Sequence, residues 1–96
     1  MVAYVIGAVT VTDPSWLAEY GPAVGAMVQR NGGKYIARDL EASHLEGSGS
    51  QPTVIVMLEF PTKEQARAWY ESDEYQPFIK MRQAGATGDL FLVDGL

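Results

Sequence analysis

The chain has 96 residues, 47% of them hydrophobic, a formal net charge of −5 and no cysteine. That length supports a single domain over residues 1–96, and the missing thiols exclude disulfides, thiolate metal sites and a cysteine nucleophile, making the cytoplasm the expected location. An acidic balance with singly scattered Lys and Arg argues against a nucleic-acid partner, and no apolar run approaches the ~20 residues of a membrane span.

Residues 3–11 are apolar and β-branched in near-alternation, which predicts a first strand with Tyr4, Ile6, Ala8 and Thr10 on one face and Val5, Gly7, Val9 and Val11 on the other. With no basic segment before it and no small-residue cleavage site after it, this run reads as a strand and not as a signal peptide. Asp13 is placed to N-cap a helix that has Pro14 at its first position. Leu17, Tyr20, Val24, Met27 and Val28 then follow at helical spacing until Asn31-Gly32-Gly33, with a kink expected at Gly21-Pro22. Residues 34–39 predict a short second strand, continued by 42–46 before the Gly- and Ser-rich stretch 47–52 turns the chain back.

Residues 53–60, Thr-Val-Ile-Val-Met-Leu-Glu-Phe, are apolar on both faces except at Thr53 and Glu59, the pattern of a central strand. Pro61 ends it, and Thr62 with Gln65 forms a capping box for a second helix that turns Ala66, Trp69 and Tyr70 inward. Ser72 is placed to cap a short further helix through Tyr75, Phe78, Ile79 and Met81, and residues 89–94 predict the last strand.

This order is α+β, the ferredoxin-like β-α-β-β-α-β arrangement: a four-stranded antiparallel sheet, strands one and three central, helices on one face. The opposite face would carry Ile55, Met57 and Glu59 with Tyr4, Ile6 and Phe91, too apolar a patch to face water. A second copy related by a two-fold axis is the simplest cover, so a homodimer is expected.

Four groups of residues could carry chemistry. Glu59 is an ionisable group in the most buried-looking strand, and Arg38 is the expected partner if the hairpin register sets 38 opposite 59 and His44 opposite Thr53. Two readings stand: a structural ion pair, or a site in which Arg38 grips a ligand carboxylate or enolate while Glu59 orients it or moves a proton. His44, the single histidine, is a second proton-transfer candidate or a solvated hairpin residue; its neighbours Glu41 and Glu46 lack the companions a metal or haem site needs, so no metal and no cofactor is expected. Trp16, Tyr20, Trp69, Tyr70 and Tyr75 form an aromatic stripe that serves as core or as the rim of a cleft, with Tyr4 or Tyr20 as hydrogen-bond donor to a bound oxyanion. Arg82 and Asp89 flank the last turn before strand four, where they could cap it or pair with each other. Residues 85–88 lack the Lys-Ser/Thr of a phosphate loop, and no serine sits in a nucleophile elbow.

The segments Gly32-Gly33-Lys-Tyr-Ile-Ala-Arg38, Leu58-Glu59-Phe60-Pro61, residues 68–76 (Ala-Trp-Tyr-Glu-Ser-Asp-Glu-Tyr-Gln) and the closing Asp89-Leu-Phe-Leu-Val-Asp-Gly95 resemble domain-of-unknown-function family 1330, of the dimeric α/β-barrel superfamily. The resemblance covers nearly the whole chain and implies a bacterial cytoplasmic homodimer whose two sheets close a barrel. It matches Arg38, Glu59, Trp69, Tyr70, Tyr75 and Arg82 to the family's pattern but supplies no reaction, because cofactor-free monooxygenases, isomerases, haem enzymes and sensory domains share the superfamily. Asp39-Leu40 stands where such proteins often carry glycines, so the turn beside the expected pocket differs. The expected function is binding of a small anionic or aromatic molecule through Arg38, Tyr4, Tyr20 and Trp69, in a pocket between helices and sheet or within the barrel. A cofactor-free enzyme and a purely structural dimer are the alternatives.

Overall fold

A computed structural model describes residues 1–49 and 51–96, leaving Ser50 of the expected Gly/Ser turn outside the described residues. The alternating segment Ala3–Val11 forms β1, and Ala3, Val5, Gly7 and Val9 are buried beneath the helices. Asp13 caps as expected, its carboxylate accepting from the Ser15 amide at 3.0 Å, but what it caps is a 3-10 turn, Pro14–Trp16. The α-helix α1, Leu17–Arg30, follows and runs on through Gly21-Pro22. It ends where Gly32 takes the left-handed conformation (φ 83°), and the Gly33 amide closes back on the Val28 carbonyl at 2.9 Å.

Strand β2 is Lys34–Asp39 and β3 is Val54–Phe60; residues 42–46, expected to lengthen β2, form no strand. Helix α2, Lys63–Glu71, begins in the predicted capping box, with the Gln65 amide donating to Thr62 Oγ1 at 3.1 Å. Gln65 Nε2 also reaches the Asn31 carbonyl at 3.3 Å, tying the start of α2 to the end of α1. Ser72 closes α2 and accepts from the Tyr75 amide at 3.3 Å, after which α3, Gln76–Gly85, leads directly into β4, Ala86–Asp94, which starts three residues earlier than periodicity indicated.

The antiparallel sheet has the order β2-β3-β1-β4, and with its helices makes the ferredoxin-like fold. Its core sits between the inner sheet face and the helices: Val5, Leu58 and Phe60 below, and Val24, Val28, Ala66, Trp69, Tyr75 and Ile79 above. Trp69 is sandwiched there, its ring 5.6 Å from that of Phe60 and 4.6 Å from that of Tyr75, with both pairs stacked. Burying a slab of aromatic surface in this way supplies much of the stabilisation of a small core.

Candidate functional site

The helices do not cover the inner sheet face completely. A cavity of about 640 Å³ remains between the sheet, the 3-10 turn and the three helices. Its floor is aliphatic, from Val5, Val9, Val54, Val56, Leu58 and Leu90. Gly7, at the centre of β1, adds no side chain to that floor; a Cβ there would fall 3.0 Å from Val56 and 3.6 Å from Leu90. Trp16, Tyr20, Trp69 and Tyr75 make the aromatic wall, and Tyr35, Arg38 and Leu40 line the side formed by β2. The ionisable cations of the lining are Arg38 and Arg82, and no carboxylate is among the residues that line it.

Arg38 reaches the cavity through an irregularity in β2. Lys34 stands opposite Glu59 and Tyr35 opposite Leu58, but beyond a bulge at Ile36 the pairs become Ala37 with Met57 and Arg38 with Val56. In a regular strand residues 35 and 38 would point to opposite faces; the extra residue brings both to the inner face. The expected pairing of Arg38 with Glu59 is therefore corrected. The ladder ends at Asp39–Ile55, so the long connection after it adds no pairs, and the register is displaced from the one that would set 38 against 59. Glu59 lies on the outer face between Tyr4 and Lys34, and Lys34 Nζ meets its carboxylate at 3.4 Å. Its side chain keeps 26% exposure, so the partner and the solvent together remove the anomaly of a charge in a central strand.

Of the residues singled out from the sequence, Arg38, Tyr20 and Trp69 meet in the cavity. Tyr4 does not: it alternates with Val5 and belongs to the outer face beside Glu59. His44 is on the exposed connection between β2 and β3, with Nδ1 3.0 Å from Gln51 Oε1, and is not part of the lining; its expected place opposite Thr53 does not form, because that stretch has no ladder. Thr53 instead accepts from the Val11 amide at 3.0 Å. Arg82 and Asp89 do not pair. Asp89 is opposite Ala8 on the outer row of β4, whereas Arg82 is 9% exposed on the helix side.

The hydroxyls of Tyr20 and Tyr75 are 2.5 Å apart, one donating to the other. Burial pushes both phenols above the ordinary tyrosine value, Tyr75 the further, while the nearby charge of Arg82 acts in the opposite sense. Tyr35, 39% exposed, is pushed up to about 12, first by desolvation and then by Tyr20, against the pull of Arg38 and Arg82. All three phenols are therefore protonated at neutral pH, hydrogen-bond donors grouped around two guanidinium charges. Tyr35 was not singled out from sequence, because its place depends on the bulge, and Arg82 was assigned a partner that lies on the other side of the sheet. Among the described residues no cluster of three or more His, Asp or Glu could hold a metal ion, and no helix is long and apolar enough to cross a membrane.

The profile of a family described as a domain of unknown function, DUF1330, matches residues 2–96. No curated protein matches the sequence significantly. Among solved structures, RPA0582, a protein of unknown function from Rhodopseudomonas palustris, superposes with a TM-score of 0.84 at 19% identity, over 99% of this chain and 82% of that one. SnoaB, a cofactor-independent oxygenase from Streptomyces nogalater, gives 0.65 at 15% identity, over 99% and 92%. A protein described as an antibiotic biosynthesis monooxygenase gives 0.55 at 15% identity, over 100% and 99%. At these identities the likeness is one of fold.

Proposed function

The chain belongs to the DUF1330 family, and on that footing we propose that it binds a small acidic molecule with a flat apolar body in the cavity between helices and sheet, Arg38 holding the acid group. The observation that carries this reading is the composition of the lining: aliphatic floor, aromatic wall, two arginines and no carboxylate. Apolar walls with a few convergent polar groups are what a small-molecule site requires, and about 640 Å³ lies within the usual range for one. A guanidinium without an acidic partner is a ready receptor for a carboxylate, through two parallel charge-assisted hydrogen bonds. Binding takes place in a homodimer formed through the outer sheet face, where Ile55 and Met57 are half-buried and Phe91 is 60% exposed in the single chain.

The test is a ligand-induced thermal shift with benzoate and its larger aromatic analogues, on the native protein and on Arg38→Ala. The variant should keep the melting temperature of the ligand-free protein and lose affinity about tenfold or more, the worth of a charge-assisted pair. If Arg38→Ala instead unfolds or dissociates the protein, Arg38 serves the structure and the pocket reading fails. A second reading, catalysis without a cofactor, draws on the fold shared with SnoaB and on the Tyr20–Tyr75 pair, one of whose hydroxyls can donate to a developing oxyanion. Oxygen consumption on adding a bound, ionisable aromatic ligand separates an oxygenase from a binding protein.

A further inference from the structure

Among the described residues Arg82 has no counter-charge. It is 9% exposed, its Nε is sealed from solvent without an acceptor, and no carboxylate lies within salt-bridge range of it among the described residues. A guanidinium whose Nε is sealed in the interior without an acceptor is unfavourable, so an arginine in this position calls for an anion. A second copy docked on the outer sheet face does not provide one, because Arg82 lies on the helix side.

Its surroundings say what kind of anion fits. Arg82 forms part of the wall of the main cavity and of a second, more polar space of about 400 Å³ that also borders Gln83 and Thr87. Its charge acts on the hydroxyls of Tyr20, Tyr35 and Tyr75. Within the Tyr20–Tyr75 pair one hydroxyl hydrogen is spent on the partner oxygen, which leaves the other free to donate to a third oxygen atom. Arg38 is on β2, at one edge of the sheet, and Arg82 is on α3, which runs into β4 at the other; Tyr35, on the same strand as Arg38, feels both charges.

We infer that the cavity holds a second oxyanion subsite, built from Arg82 and the Tyr20–Tyr75 hydroxyl pair, so that its ligands are flat acids carrying a second oxygen-acceptor group. This rests on the reading of Arg38 as the holder of the first acid group. The aliphatic floor takes the body of the ligand, and its two oxygen groups meet the two cations of a lining that holds no carboxylate.

Calorimetric titration with matched probes tests this. Benzoate offers one carboxylate, terephthalate two at opposite ends of one ring, and the biphenyl diacid two at a longer span. At least one diacid should bind the native protein about tenfold more tightly than benzoate, the value of one added charge-assisted contact. Arg82→Gln should narrow the difference between that diacid and benzoate to about twofold or less, Arg82→Lys should restore part of it, and Arg38→Gln should weaken mono- and diacids alike. If benzoate binds in an Arg38-dependent way and neither diacid gains, the second subsite is refuted and the proposed function stands. If no acid binds, both fall. The comparison of probes on the native protein decides the matter even where an Arg82 variant does not fold.

Discussion

The hydroxyls of Tyr20 and Tyr75 meet at 2.5 Å across the junction of α1 and the turn before α3, two elements that the exposed Arg30–Glu74 ion pair also links. Tyr75 is fully buried, so this contact is the partner its hydroxyl has among the described residues. Tyr20→Phe should destabilise the protein by about 1–3 kcal/mol, because it leaves a buried hydroxyl without a partner. Tyr75→Phe should cost less, since Tyr20 is only part-buried, and the double variant should cost less than the two single losses added together. A double-mutant cycle by urea denaturation measures the difference; strict additivity would mean that the hydroxyl contact contributes nothing.

The same phenols predict how stability depends on pH. Tyr20, Tyr35 and Tyr75 are all raised by burial, Tyr35 to about 12, whereas in the unfolded chain each ionises near 10. Below about pH 9 both states hold these protons and the phenols contribute no slope. Above about pH 10 the unfolded chain releases them first, so it binds fewer protons than the folded one and stability falls as pH rises. Denaturation midpoints should drop between about pH 10 and 12, and Tyr35→Phe should make that decline shallower. An unchanged midpoint across this window would contradict the assigned burial of the phenols.

How far the sequence foretold this site is best seen at residues 35 and 38. The strand, its neighbour and the cation were all legible, because Gly32-Gly33 and the Tyr-Ile-Ala run after it mark the start of β2 clearly. Which face each side chain takes was not, because parity along a strand holds only while the ladder is regular, and nothing in Tyr-Ile-Ala-Arg announces a bulge at Ile36. One inserted residue moved Arg38 from the face of Glu59 to that of Val56, changing an expected ion pair into a cavity-lining cation. Tyr4 and Trp69 make the converse case. Tyr4 was correctly set on the face of β1 opposite Val5, away from this cavity, whereas Trp69 follows from helical spacing alone.

On the outer face, Phe91 is opposite Ile6, and Met57 flanks Ile6 on its other side. If a second copy covers this row, Phe91→Glu introduces a charge into each half of a two-fold interface, facing its own symmetry mate or an apolar surface. The native protein should sediment as a dimer of its 10.5 kDa chain and the variant as a monomer. A native monomer at micromolar concentration would remove the interface and with it the reason for so apolar an outer row.

Gly85 controls the aromatic wall of the cavity from behind. Its carbonyl accepts from the amides of Thr12 and Asp13 at 2.8 and 3.0 Å, which clamps the end of α3 to the start of the 3-10 turn. The turn then lays the Trp16 ring directly over Gly85, so a Cβ at this position would collide with the indole and approach the Asp13 carbonyl oxygen to 2.8 Å. The backbone clamp cannot yield without losing two hydrogen bonds, so the ring must move. Gly85→Ala should therefore destabilise the fold by about 1–3 kcal/mol through overpacking. It should also displace Trp16 from the wall it shares with Tyr20, whose ring now meets the indole edge-on at 5.0 Å. With Trp69 replaced by Phe as a common background, Trp16 becomes the single indole of the chain, and its fluorescence reports the displacement directly. In that background Gly85→Ala should shift the emission and weaken aromatic acids more than aliphatic acids of equal charge. Equal weakening of both classes would place Trp16 outside the binding surface.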